Sequence, residues 1–317
     1  MVAADLPVPR AEDRRPRADL AAMAAGAALL SCTSIFVVLA QVAPTVSAFY
    51  RMAFGGVALL GWVALRGRWQ RIRWGDVVLA LLPAIGFATD LIFWHRSILW
   101  VGPGVATLLT NFQVFLLALV GWVAYRERLG RAFMPGMVLA LAGLWLLVGA
   151  HWSMFDARHR LGVWFGLASC LAYAVYLLSF RRALSGRTPL SAAQFLGLMS
   201  VLCAGLLGGW CIGAGETLAL VTWRSWGALL ALGFFGQVVA WLLMVRAMPR
   251  LPASQVGLLL LLQPALAFVL DVLLFGRATT LSDWLGLGLA LAGILLGTLR
   301  PRRPVAGAAA ITAGDDA

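Results

Sequence analysis

The sequence predicts an all-α integral membrane protein with ten transmembrane helices, arranged as two inverted five-helix repeats. Three observations carry this prediction. The 317 residues are 62% hydrophobic and only 12% charged, with a mean hydropathy of +0.90, against about 45–50% apolar and about 25% charged in soluble domains. The apolar residues gather into ten stretches, each near the roughly 20 residues that an α-helix needs to cross a bilayer. Finally, the chain matches itself at an offset of 150 residues. The composition excludes an ordinary soluble enzyme, and it excludes disorder except at the ends.

Each stretch has its own warrant. Span one (20–41) follows Arg10, Arg14, Arg15 and Arg17 and precedes the small residues Ala40 and Ala43, as a cleaved signal would. Its apolar core of about 20 residues exceeds the usual 7–15 of a signal, so we read it as a retained helix. Spans two to five follow at 46–66, 76–98, 103–125 and 132–150. Spans six to ten follow at 161–181, 190–213, 225–247, 253–275 and 281–299. The runs are continuously apolar, as in Leu258–Leu262, whereas membrane β-barrel strands alternate. Backbone amides in lipid must be paired internally, which makes each run a helix. The expected organisation is a disordered tail over 1–19, repeats over 20–150 and 161–299, a linker over 151–160, and a second disordered tail over 300–317.

All 25 basic residues are Arg, for a net charge of +12. In a soluble chain that balance would suggest nucleic acid. Here 18 Arg fall in the tails and in the loops at 66–73, 126–131, 181–187 and 250, and four (Arg158, Arg160, Arg224, Arg277) fall in the alternate loops. Short basic loops stay cytoplasmic, so both termini are expected inside, with no nucleic-acid partner and with lipid around the bundle. The four Cys lie within apolar runs without a CxxC pair and read as buried packing residues.

The repeat aligns Gly86 with Gly236, Arg96 with Arg246, Gln113 with Gln263 and Gly136 with Gly286, and LALAG at 139–143 recurs at 289–293. Five spans per half is an odd number, so the second half is inserted upside down. Inverted repeats are a recurring plan of secondary transporters, with the binding site at the midplane; a duplicated scaffold is the alternative. Small residues allow close helix approach. Gly136, Gly143, Gly286, Gly288 and Gly293 therefore serve either packing of spans five and ten or a homodimer contact.

Ionisable groups inside the membrane are costly and are expected to face the bundle or water. Asp90 is the sharpest candidate, with Trp94 one turn on; a carboxylate beside an indole suits a cationic or amphipathic aromatic solute. The alternative is a structural ion pair. His95 either relays protons or packs. Arg51 either snorkels or pairs with an acid, and Arg96 and Arg246 lie near helix ends. Asp271, near the end of span nine, either couples protons or is a solvated interfacial acid. Thr107, Thr110 and Asn111 share a face of span four, as do Ser31 and Ser34 in span one, Ser169, Tyr173 and Tyr176 in span six, and Gln237 and Trp241 in span eight. Such stripes either bind solute or bond between helices. Gln113 and Gln263 are open to both readings.

The chain resembles the drug/metabolite transporter superfamily, in its ten-helix EamA-type branch. The resemblance covers about 20–299 and rests on Arg51 in SAFYRMAFGG, Glu127 in YRERLG, the following GMVLALAG, LLQPALAFVLDVLLFG and LGLGLALAG. Two departures stand out: Val114 occupies the place matching Pro264, and Arg277 the place matching Glu127. The similarity implies a bacterial inner-membrane transporter of small metabolites, often an exporter, with a periplasmic linker. It also implies a central cavity built from spans one, three, four, six, eight and nine, which raises the polar stripes to candidate lining. The expected substrate-binding residues are Asp90, Trp94, His95, Thr107, Thr110, Asn111, Tyr173, Gln237 and Trp241. Asp90, Arg51 and Asp271 are expected to serve coupling or ion pairing.

HExxH, GxSxG, P-loop and Rossmann motifs are absent from the sequence. The His at 95, 151 and 159 are scattered, so neither cofactor nor metal is expected, and a gradient or the solute itself must supply the energy. Two other readings remain: an intramembrane enzyme on lipid-linked substrates, using the Asp156/His159 loop, and a non-transporting scaffold or sensor.

Overall fold

The computed structural model describes residues 16–125, 130–150, 152–185, 187–220, 222–247, 251 and 253–298. Residues 1–15 and 299–317, Glu127, His151 and Arg250 lie outside these residues, as does the side chain of Arg246; the first helix begins at Pro16, inside the tail expected over 1–19. The described regular structure is helical. Spans one to three are Pro16–Ala40, Pro44–Leu65 and Trp74–Val101. Span four is two half-helices, Pro103–Asn111 and Gln113–Tyr125, and span five is Phe133–Leu144 continued by a π-helical turn, Trp145–Gly149. Spans six and seven are Ala157–Leu184 and Ala192–Gly213. Span eight runs Trp223–Ala231, then π-helical Leu232–Val239, then Ala240–Ala247; span nine is Ala253–Leu260 and Leu262–Phe275; span ten is Leu281–Thr298. Nine of these stretches are long and apolar enough to cross a membrane, and the tenth, Leu281–Gly297, is apolar but shorter. Span six starts at Ala157, inside the expected linker, because Asp156 caps it by accepting from the backbone N–H of His159 (2.7 Å).

Spans four and nine break within one residue of matching places, at Phe112 and Leu261, for different reasons. At both, the backbone tightens to i→i−3 bonds, Phe112 N–H to Leu109 O (3.2 Å) and Leu261 N–H to Leu258 O (3.2 Å). Span nine carries Pro264, whose missing N–H cannot close the helical ladder. Span four has Val114 there. Its carbonyls are instead engaged by side chains one turn on: Thr107 Oγ1 to Pro103 O (2.7 Å), Thr110 Oγ1 to Ala106 O (3.1 Å) and Asn111 Nδ2 to Thr107 O (2.8 Å). Back-bonding of this kind bends helices.

Packing follows the repeat. Span three lies on span six as span one lies on span eight; three on seven as eight on two; four on six as nine on one. Spans two and seven, four and nine, and five and ten pair with their own repeat mates. The twofold is sharpest between spans five and ten. A Cβ on Gly143 would overlap Ala290 N and lie 2.5 Å from Gly286 O; one on Gly293 would overlap Ala140 N and lie 2.5 Å from Gly136 O. Four of the five glycines suspected of a dimer contact are thus occupied within the chain, and Gly288 has nothing within 4 Å. Met23 and Ala27 of span one are fully buried in the bundle. The outside is apolar, with Leu65, Leu82, Val138, Trp145 and Trp223 among the exposed side chains, as a lipid-facing surface requires.

Candidate functional site

Between the halves lies a cavity of about 70 Å³; by the same measure one water needs roughly 10–15 Å³. It has room for a small solute. Its walls come from spans one (Leu30, Thr33), two (Arg51), three (Phe87, Asp90, Trp94), four (Thr107, Thr110, Asn111, Gln113), six (Tyr173, Tyr176), eight (Trp241) and nine (Gln263).

Span three approaches closely because Gly86 lies against the backbone of Tyr176, where a Cβ would come within 3.1 Å of its N. That closeness lets Phe87 stack on Tyr176 at 4.4 Å between ring centroids. Asp90 is 3% exposed and accepts from Ser169 Oγ at 2.6 Å. Ser169 is also 3.0 Å from Thr110 Oγ1. A hydroxyl has one proton, so while Ser169 donates to Asp90, the single proton of Thr110 goes either to Ser169 Oγ or to Ala106 O. The polar stripe of span four therefore does both things expected of it: it bonds across to span six and it lines the cavity. Arg51 does not snorkel. It is 6% exposed, with its guanidinium over the rings of Phe87 (5.8 Å) and Trp94 (5.5 Å). No ion pair joins Asp90 to it among the described residues.

Three predicted residues lie elsewhere. His95 is fully buried, with Nδ1 2.6 Å from Ser47 Oγ, which donates to Pro44 O at 2.8 Å. One residue past Trp94 on a helix, it turns away from the cavity and ties span three to span two, one turn before Arg51. Gln237 donates to Ser200 Oγ (3.2 Å) and abuts Gly55, joining spans eight, seven and two. Asp271 is not a solvated interfacial acid: it is 3% exposed, accepts from Gly104 N (3.3 Å) and pairs with Arg277 (3.4 Å). Arg277 in turn donates to Val101 O (2.7 Å). This latch closes over the one-residue turn between spans three and four at Gly102, whose φ of +89° and contact with Asp271 Oδ2 (2.5 Å from a Cβ) both require glycine. Ser31 and Ser34 bond back to their own helix, to Ala28 O (2.6 Å) and Ser31 O (2.9 Å).

Sequence reasoning missed Leu30, Thr33 and Phe87 as lining, left Gln113 and Gln263 open, and reached Tyr176 only through the span-six stripe that the resemblance raised to candidate lining. The repeat held a signal for the glutamines: they are repeat mates, one residue past the break at Phe112 and two past the break at Leu261. The chemistry of the site does not follow the twofold, because the mates of Arg51, Asp90 and Asn111 are Val201, Ala240 and Leu261.

Comparison with known proteins agrees with this architecture. A family model described as the EamA-like transporter family matches residues 18–149 and 160–299. The uncharacterized transporter YwfM of Bacillus subtilis (strain 168) is 26% identical over 259 residues, 80% of this chain and 84% of that protein. The threonine/homoserine exporter RhtA of Escherichia coli (strain K12) is 31% identical over 169 residues, 53% of this chain and 55% of that one. A solved crystal structure aligns with 88% of this chain and 96% of its own, with a TM-score of 0.62 and 20% identity, which speaks to the fold alone. With the family match spanning both halves, the chain belongs to the EamA-like transporter family, and it is a multi-pass membrane transporter.

Proposed function

We propose that this chain is a secondary transporter that exports a small organic metabolite, an amino acid or an amphipathic aromatic solute, by alternating access of its inverted halves. It works in the inner (cytoplasmic) membrane with both termini cytoplasmic, in keeping with the Arg asymmetry of its loops. The observation that carries the reading is the polar cavity between the halves, walled by Asp90, Trp94, the span-four stripe, Tyr173 and Trp241. Broken helices at such a cavity are typical of transporters, whose irregular backbone is tolerated where it lines an aqueous space. The likeness to RhtA favours an amino acid as cargo and export as direction.

Asp90 is the group proposed for coupling. The enzyme reading loses its main support, since Asp156 is engaged as the cap of span six. The test is flux in proteoliposomes under an imposed pH gradient. The proposal expects solute flux, and expects Asp90→Asn to alter that flux and its pH dependence. Unchanged flux in Asp90→Asn removes the coupling role; turnover of a labelled lipid without solute flux removes the transport reading.

A further inference from the structure

Arg51 is out of keeping with the other membrane-embedded arginines. Arg96 donates to Ile92 O (3.0 Å) and Thr45 Oγ1 (3.0 Å), and Arg277 donates to Val101 O and Asp271. Arg51 is more deeply buried than either, yet among the described residues its guanidinium donates no hydrogen bond; its Nε, like that of Arg277, is enclosed without a partner, but unlike Arg277 it has no other hydrogen bond to set against this. What it has is ring faces, Phe87 and Trp94. Those contacts use no N–H···O bond, so the hydrogen-bonding capacity of the guanidinium is not met by protein acceptors among the described residues. A guanidinium carries five N–H donors in one plane, and leaving buried donors unmade is costly.

The group lines the central cavity together with Asp90. Asp90 has Oδ1 committed to Ser169, and its other oxygen has no hydrogen-bonded partner among the described residues. The two opposite charges thus face one cavity without closing into an ion pair at the 4.0 Å limit. A carboxylate is the ligand whose two oxygens match a guanidinium fork, and an ammonium group is the natural partner of the open Asp90 oxygen.

We infer that Arg51 anchors the carboxylate of the transported solute while Asp90 receives its ammonium group, so that the cavity selects zwitterions. The inference rests on the transport reading and narrows its cargo. It also gives the aromatic residues a role: Phe87 and Trp94 hold the guanidinium beside the cavity by cation–π contact. His95 acts at one remove, through Ser47, by fixing the turn of span two that precedes Arg51.

The test uses the purified full chain and equilibrium binding read by intrinsic tryptophan fluorescence. The twenty α-amino acids are screened singly. The tightest binder is then compared with its decarboxylated amine and its deaminated acid. Loss of the carboxylate is expected to weaken binding roughly 10- to 100-fold, as for a charge-assisted bidentate pair, and loss of the ammonium by a similar factor. Arg51→Gln is expected to lose the same factor towards the amino acid and little towards the amine, with partial recovery in Arg51→Lys. Asp90→Asn is expected to show the converse preference. An amine that binds as tightly as its parent amino acid overturns the inference, as does the absence of binding by all twenty. The analogue comparison needs no variant, so a misfolded Arg51→Gln leaves the test intact. Flux of a solute lacking a carboxylate in proteoliposomes would overturn the Arg51 anchor and leave transport standing; binding without flux of any solute would overturn transport instead.

Discussion

Replacing Gly143 by Ala tests whether spans five and ten meet about a true twofold. The added Cβ would overlap the backbone N of Ala290 and sit 2.5 Å from Gly286 O, against an ordinary contact of 3.4 Å or more. Neither atom is the end of a flexible side chain, so the helices must part by at least about 0.9 Å. Overpacking of this kind costs about 1–3 kcal/mol. Gly→Ala inside a helix also gains up to about 1 kcal/mol of propensity, so Gly288→Ala, with open space around it, is the calibrating variant. Relative to it, Gly143→Ala should be destabilised by about 1–3 kcal/mol, and Gly293→Ala by the same amount because its clash is the mirror image. The double variant should cost less than the sum, since one parting of the helices relieves both clashes. Thermal unfolding followed by tryptophan fluorescence in detergent measures all four. Equal stability of Gly143→Ala and Gly288→Ala, or clearly unequal effects at 143 and 293, would refute the symmetric seam.

Ser169→Ala should cost about 1–3 kcal/mol, because it leaves Asp90 Oδ1 without its donor; chemical denaturation against wild type measures this. Gly102→Ala should be among the most damaging single-methyl additions, since it meets both the left-handed backbone and Asp271 Oδ2 at 2.5 Å; yield and monodispersity on size exclusion report it. Arg277→Ala should destabilise more than Arg224→Ala, because it removes the donor to Val101 O and the partner of buried Asp271; the two melting curves decide. Gln113→Leu and Gln263→Leu should each reduce solute flux while leaving the melting temperature near wild type, as expected of lining rather than packing residues; flux and melting are read on one preparation.

The helices, their number and the repeat were legible in the sequence because lipid imposes continuous apolar runs and because matched Gly, Arg and Gln kept one register over 150 residues. Asp90, Trp94, the span-four stripe, Tyr173 and Trp241 were legible because charge and hydrogen-bonding groups avoid lipid. Periodicity could not separate a polar group facing the cavity from one facing another helix. His95 and Gln237 belong to the second kind: each bonds across an interface to a Ser, Ser47 or Ser200, that no spacing rule connects to it. Asp271 looked solvated because it lies near a helix end, and its partners Arg277 and Gly104 come together only when spans four and nine cross. Phe87 was passed over because an aromatic residue in an apolar run carries no mark, although it is the repeat mate of Gln237.

The most direct measurement is the water accessibility of the cavity from each side of the membrane. In a variant with Cys32, Cys170, Cys203 and Cys211 replaced by Ala, Asn111→Cys puts a single thiol in the cavity wall, and Leu82→Cys puts one on the lipid-facing surface. Alternating access predicts that a membrane-impermeant thiol reagent modifies the cavity thiol in both right-side-out and inside-out vesicles and leaves the lipid-facing thiol unmodified. A cavity thiol that reacts from neither side, or no faster than the lipid-facing one, would contradict a wet polar pathway between two inverted halves.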